Sequence, residues 1–335
     1  MEDRVQAPAR IVAMILVAFL SIRAIAAEPP ALTSLSDTDV RYEVPKRPYV
    51  VLKRADLEAV VVDNRAVDDD VLPGHRAGYS GIASLKHAKQ RENLFVPSYA
   101  GLNLEHIHDG TTQPPKILYE PRYVPMELRV IGPSIVELYQ KPTPTYGLES
   151  CARYELLEDG AIEMTFECIP RRRSFKNNYI GLFWASYIRQ PESIDIHFKG
   201  RDADQPADPR WIRGVTPESG RFSTHLGADD RREFVHDPDF PLKLVFNYSP
   251  YRYSKPWYYG VSNGMALVYV FRPQDQIRLT QSPYGGGSGN PAWDFQFFIP
   301  DYEVGKRYQM VMRTLYLPYE SPEQIERAVE RHRRF

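Results

Sequence analysis

Twenty-nine prolines are spread along 335 residues, and they restrict this chain more than any other feature. A proline inside a helix removes a hydrogen bond and clashes with the preceding turn, so long helices have little room here. The runs between the prolines are rich in Val, Ile, Tyr and Phe and are bounded by Gly, Pro, Asn or Asp, which marks strands. Such runs cover 49–53, 57–64, 127–140, 178–188, 193–199, 242–248, 265–271, 293–299 and 306–317, with a hairpin around 151–168. No amphipathic helices intervene, so the expected class is an all-β antiparallel sandwich and not a parallel α/β sheet. One short C-terminal helix is expected. Ser321 caps it, Pro322 fills its first turn, Gln324 completes a capping box, and Ile325, Ala328 and Val329 form its apolar stripe.

The first residues have a different character. Arg4 and Arg10 precede an apolar run from Ile11 to Ile22, and Ala24-Ile25-Ala26 supplies small residues for cleavage before Ala27. This is the plan of a secretory signal peptide at 1–26, with an apolar run shorter than the about 18 residues of a membrane span. The expected location is secreted or periplasmic, with no stable membrane span after cleavage. A Pro-rich spacer over 27–48 is expected next, then a single β-sandwich domain over 49–335. Residues 200–241 are polar, rich in Pro and Asp, and carry Trp211, Phe222, His225 and His236. They read as an ordered insertion over one face of the sandwich. Lys and Arg number 42 against 43 Asp and Glu, which argues against a nucleic-acid binder held by bulk charge and against a polybasic membrane-surface protein.

Two cysteines, Cys151 and Cys168, flank Asp159-Gly160, a strong two-residue hairpin signal. A two-residue turn there pairs Glu158 with Ala161 and, counted outward, Cys151 with Cys168. The expectation is a cross-strand disulfide in an oxidising compartment.

Candidate chemistry lies in three places. In Asn103-Leu104-Glu105-His106-Ile107-His108-Asp109-Gly110, strand alternation puts His106 and His108 on one face and Glu105 on the other. Two adjacent imidazoles can hold a metal or act as an acid and a hydrogen-bond donor. Asp109-Gly110 reads as a turn. Further on, a glycine loop at 285–289 runs into Trp293-Asp294-Phe295-Gln296-Phe297, where Asp294 and Gln296 share a face suited to hydroxyl recognition. Third, Trp257, Tyr258 and Tyr259 offer flat rings for stacking on a sugar. Arg129, Arg122 and Glu149 are further polar candidates near strand ends, and Trp184 reads as core. No phosphate-binding loop, nucleophile elbow, zinc-protease motif or EF-hand loop is present.

The layout resembles the galactose mutarotase-like β-supersandwich shared by aldose epimerases and by domains of polysaccharide lyases and glycoside hydrolases. The resemblance rests on the early strand pair LEAVVVDN, on NLFVPSYAGLNLEHIHDG, on long antiparallel strands, and on an aromatic strand after a glycine loop, over roughly 45–318. It implies a carbohydrate ligand, no organic cofactor, and a histidine working with a carboxylate in acid–base chemistry. His106 or His108 matches the epimerase histidine by position, Asp294 stands nearest to the late glutamate base, and a second histidine could only be His197. Arg129, Gln296, Asn103, Glu105 and the 257–259 rings would bind substrate. Two other readings stand beside it: a non-catalytic envelope or sugar-binding protein, and a metal-dependent hydrolase using His106 and His108.

Overall fold

The computed structural model describes residues 32–205, 208–217 and 220–335, so the expected signal peptide at 1–26 lies outside the described residues. The chain opens with a three-stranded sheet of β1 (Tyr49–Arg54), β2 (Leu57–Val62) and β3 (Gly81–His87). β4 (Asn103–His108) follows, then two single-turn helices, α1 (Pro115–Leu118) and α2 (Glu120–Tyr123). Next come β5 (Met126–Gly132), β6 (Ile135–Gln140), β7 (Leu148–Leu156), β8 (Ile162–Pro170) and β9 (Tyr179–Ala185). β10 (Ile196–Asp202), β11 (Arg210–Gly214), β12 (Thr224–His225), β13 (Tyr251–Tyr253), β14 (Trp257–Ser262) and β15 (Met265–Phe271) continue the chain. β16 (Arg278–Ser282), β17 (Ala292–Pro300), β18 (Tyr308–Pro318) and the helix α3 (Pro322–His332) complete it. A ten-stranded sheet runs β11-β10-β14-β15-β18-β8-β7-β6-β5, with β13 beside β10. A five-stranded sheet runs β12-β16-β17-β9-β4. The class is all-β and antiparallel, with one short C-terminal helix of real length.

Strand alternation builds the core between the sheets. On β9, Ile180, Leu182 and Trp184 face inward, and Trp184 stacks on Phe295 of β17. Phe166, Met310 and Met312 meet them from the ten-stranded sheet. Each such side chain, buried in full, contributes on the order of 1.5–3 kcal/mol. α3 lays Ile325, Ala328 and Val329 on Trp257, Val268 and Val270, on the outer side of the ten-stranded sheet. Ser321 Oγ caps it by accepting from Gln324 N at 3.2 Å. The Gln324 amide turns to the Pro318 carbonyl instead of closing the box.

The cysteine hairpin corrects the expected disulfide. Its turn holds three residues, not two: Leu157 N donates to Ala161 O at 2.8 Å, and Gly160 adopts a φ of 82°. The register therefore slips by one, pairing Cys151 with Glu167 and Cys168 with Ser150. A one-residue slip sends a side chain to the other face of the sheet. Cys168 enters the core, whereas Cys151 points outward with its thiol 3.5 Å from Glu137 Oε2. Both thiols are free.

Two segments lie across the outer faces. Residues 32–43 run over the ten-stranded sheet, where Thr33 Oγ1 donates to Glu167 at 2.7 Å and Glu43 bridges Val130. Residues 228–247 cross the five-stranded sheet without joining its ladder and set Phe234, Phe240, Leu242, Leu244 and Phe246 on it.

Candidate functional site

The outer face of the five-stranded sheet gathers most of the candidate residues, because alternation along β4, β9, β16 and β17 repeats in register. Asn103 pairs with Ala185, His106 with Phe183 and His108 with Gly181, while Phe183 in turn pairs with Gln296. Thr280 pairs with Asp294 on the far side of β17. One strand departs from simple alternation. β4 carries a bulge between Leu104 and His106, which inserts Glu105 as an extra residue. Glu105 therefore does not face away from His106, as alternation alone predicts. The two stand side by side, Glu105 Oε1 lying 3.5 Å from His106 Nε2.

A cavity of about 150 Å³ opens here, lined by Glu105, His106, Asp294, Ser282, Tyr119 and Tyr187 on its polar side. Phe183, Ala185, Ala292, Leu242 and Leu244 form its apolar wall, and Gly285 of the glycine loop borders it. Arg122, from α2, donates to Glu105 Oε1 at 2.5 Å and to Tyr187 OH at 2.9 Å. Tyr187 OH donates to the other oxygen, Glu105 Oε2, at 2.6 Å. The guanidinium lies between two rings, 4.3 Å from the centroid of Tyr79 and 4.4 Å from that of Tyr119. The planar fork and its ring contacts fix Arg122, and Arg122 fixes Glu105.

Burial shifts the titration of these groups. It pushes the Asp294 carboxyl well above the usual carboxylate range, and the neighbouring Glu105 charge adds to this against one hydrogen bond from Ser186 N. It pushes Glu105 upward too, opposed by Arg122 and the Tyr187 hydroxyl. His106 moves the other way: burial, then the Arg122 charge, holds its imidazole well below its ordinary value. Burial thus favours the neutral form of both the Asp294 carboxyl and the His106 imidazole, which line one cavity. A carboxyl and an imidazole lining one cavity are the raw material of acid–base catalysis.

The other candidates fall elsewhere. His108, two residues along the same face, is enclosed by the rings of Tyr179, Phe240, Phe246 and Phe298 and does not reach the cavity. Burial lowers its pKa to about 3. The two imidazoles do not converge, and no group of three or more His, Cys, Asp or Glu side chains among the described residues is placed to hold a metal ion. Gln296 donates to Thr280 Oγ1 at 2.6 Å and Thr224 Oγ1 at 2.9 Å. Asn103 accepts from Ser80 N at 3.1 Å. Asp109 is a turn residue that accepts from Thr111 and from Lys176 N.

Arg129 lies on the ten-stranded sheet between the rings of Tyr42 and Tyr139, paired to Glu127. Glu149 is held there by Tyr139 and Arg171. The 257–259 rings are core and not platform. Trp257 lies under α3, Tyr259 stacks on His197, and Tyr258 reaches inward to donate to the Asp294 carbonyl at 2.9 Å. His197 is thereby on the other sheet from His106. Tyr187, Tyr119 and Ser282 belong to the cavity without any signal in the sequence, since each is one polar residue in an ordinary run.

No family model matches the chain, and no curated protein matches it. Among solved structures, it is similar to a galactose mutarotase-like protein from Lactobacillus casei, with 9% identity, a TM-score of 0.46, and coverage of 80% of this chain and 99% of that one. A putative aldose 1-epimerase from Escherichia coli aligns with 10% identity and a TM-score of 0.47, over 81% of this chain and 99% of that one. An alpha-N-acetylgalactosaminidase from Bifidobacterium bifidum aligns with 9% identity and a TM-score of 0.47, over 84% of this chain but 38% of that one. These are likenesses in the course of the backbone and assign no residue here a role.

Proposed function

We propose that this chain binds a carbohydrate and carries out acid–base chemistry on it in the cavity at Glu105, His106 and Asp294. The observation that carries the reading is one small polar cavity that brings together the His106 imidazole, the Asp294 carboxyl and a Glu105 carboxylate clamped by Arg122 and Tyr187. Asp294 can give a proton to a sugar oxygen, and neutral His106 can take one from a hydroxyl. Glu105, clamped by Arg122 and Tyr187, accepts hydroxyl hydrogen bonds or carries charge opposite the reacting centre. The tyrosine faces and the apolar wall suit the non-polar face of a sugar ring. We further propose that residues 1–26 direct export, so that the protein acts in the periplasm or outside the cell.

The test is thermal unfolding of residues 27–335 against a panel of neutral, amino and uronic sugars, followed by anomer-exchange and hydrolysis assays on any sugar that raises the midpoint. A shift with one sugar class, lost in His106→Ala and in Asp294→Ala, supports the site. Binding without turnover of any tested sugar makes the protein a lectin-like binder. Indifference to every sugar rejects the carbohydrate reading.

A further inference from the structure

The polar face that carries the cavity continues beneath the segment 234–246. We propose that this segment is a lid, and that under it lies a second saccharide subsite floored by His108 and Gln296. The proposal rests on the carbohydrate reading of the neighbouring cavity.

Three observations carry it. First, the floor is polar and unsatisfied. Both ring nitrogens of His108 are buried without a partner, and so is Gln296 Oε1. Each buried group left unmade costs about 1–3 kcal/mol, and a Leu or Phe would fill the same space without that cost. Gly181, opposite His108, has no side chain, and a Cβ there would collide with the imidazole. The sheet thus provides a socket in which this ring lies flat, with its nitrogens available once the cover lifts.

Second, the cover is held by side-chain packing and a few hydrogen bonds, not by a strand ladder. Its ends are held, by Arg278 donating to the Arg232 carbonyl at 2.9 Å and by Thr224 N donating to Asn247 O at 3.1 Å. Between them it makes no strand ladder. Asp237 N donates to Gly110 O at 2.8 Å, Thr112 N to Asp237 Oδ2 at 2.7 Å, Tyr179 OH and Asn177 Nδ2 to Val235 O at 3.0 and 3.2 Å, and Thr224 Oγ1 to Leu244 O at 2.7 Å. Val235 itself is 73% exposed. A segment pinned at both ends and seated between them by packing, without a ladder, can lift as a unit below the free energy of global unfolding.

Third, the two sites share a wall. Leu242 and Leu244 of the same segment close the His106 cavity. At about 150 Å³ that cavity is smaller than the roughly 300 Å³ of a typical small-molecule site. Lifting the lid widens it and joins it to the next row of the sheet. The ligand class is therefore an oligosaccharide of two or more units: one sugar at His106 and Asp294, the next stacked under Phe240 with hydroxyls on His108 and Gln296.

The experiment labels histidines with diethylpyrocarbonate in the sugar-free protein and reads each site by mass spectrometry. His225, equally buried but with its ring packed on Phe198 and Gly214 of the ten-stranded sheet, is the internal control. His108 is expected to label about tenfold faster than His225. Thr112→Cys with Asp237→Cys, oxidised to lock the segment, is expected to remove that difference, and reductant to restore it. Phe240→Ala is expected to speed labelling, and serves if the locked form does not fold. Labelling of His108 no faster than His225 in both the parent and Phe240→Ala overturns the lid. A second arm measures binding of mono-, di- and trisaccharides to the locked and reduced forms. Loss of affinity for the longer sugars alone on locking supports the subsite. A lid that opens while no sugar binds leaves the motion standing and overturns the saccharide assignment.

Discussion

Both sheets present buried charge on their outer faces, but the two faces resolve it differently. On the ten-stranded sheet the buried carboxylates Glu137, Glu149 and Glu167 are paired. Glu137 meets Arg153 at 2.7 Å and Ser34 N at 3.0 Å. Glu167 meets Thr33, Arg307 and Gln309, and Glu149 meets Tyr139 and Arg171. On the five-stranded sheet Asp294 has one backbone donor, and nitrogens of His106, His108 and Asn103 have no hydrogen-bond partner. Equal polarity thus has two meanings. Saturated pairs hold a segment down, whereas unsaturated groups around a cavity keep free energy available for a ligand.

The largest effect that can break this contrast is expected at Glu137. Glu137→Ala leaves Arg153 buried without its partner and frees the 32–43 segment, a loss of about 3–5 kcal/mol in urea unfolding. Sugar binding should survive wherever the variant is folded. Loss of binding with stability intact would give this face a role in the site.

Asp294→Asn should do the opposite. The amide mimics the protonated acid, so stability should change by less than about 1 kcal/mol, while turnover of any substrate found should fall about 10²–10⁴-fold. Unchanged turnover would remove Asp294 from the chemistry and leave it as a packing residue.

The contrast also predicts a pH response. His108 and His225 are held neutral by burial down to about pH 3, while in the unfolded chain a histidine takes up its proton near pH 6.5. Below that value the unfolded state binds more protons. Stability present at neutral pH is then lost as pH falls, by roughly 1.4 kcal/mol per pH unit for each such histidine. Asp294 and Glu105, raised by burial, act with the other sign: their contribution is full at acid pH and is lost as pH rises through their folded values. Denaturant midpoints from pH 7 to pH 4 should fall, and His225→Leu should flatten the fall. A midpoint that rises toward pH 4 would mean that the carboxyls outweigh the histidines.

The fold was legible in the chain because period-two patterns survive wherever one face packs on a core. Trp184, Phe295 and Phe297 lie inside on the pattern alone. The site was half legible. Asp294 and Gln296 share a face as alternation requires, but Glu105 joins His106 through a bulge, and a bulge adds a residue without marking itself in the sequence. Arg122 and Tyr187 come from distant segments, and only the folded backbone brings them to Glu105. The 257–259 rings were misjudged because aromatic residues between a proline and a glycine fit a binding ledge and a core strand equally well.

The smallest expected effect is the most exacting test of the register that places these faces. If the turn before Ala161 holds three residues, Cys151 and Cys168 face opposite sides and cannot bridge in the folded chain. Reductant should then leave the unfolding midpoint unchanged, and two thiols should react in guanidinium without prior reduction. A midpoint lowered by about 2–4 kcal/mol equivalent on reduction would restore the two-residue turn and the disulfide. It would also turn Glu167 from the outer face toward the core and separate it from Thr33 and Arg307. The pairing that makes the ten-stranded face structural would fall with it, so a thiol count checks the contrast between the two faces at its root.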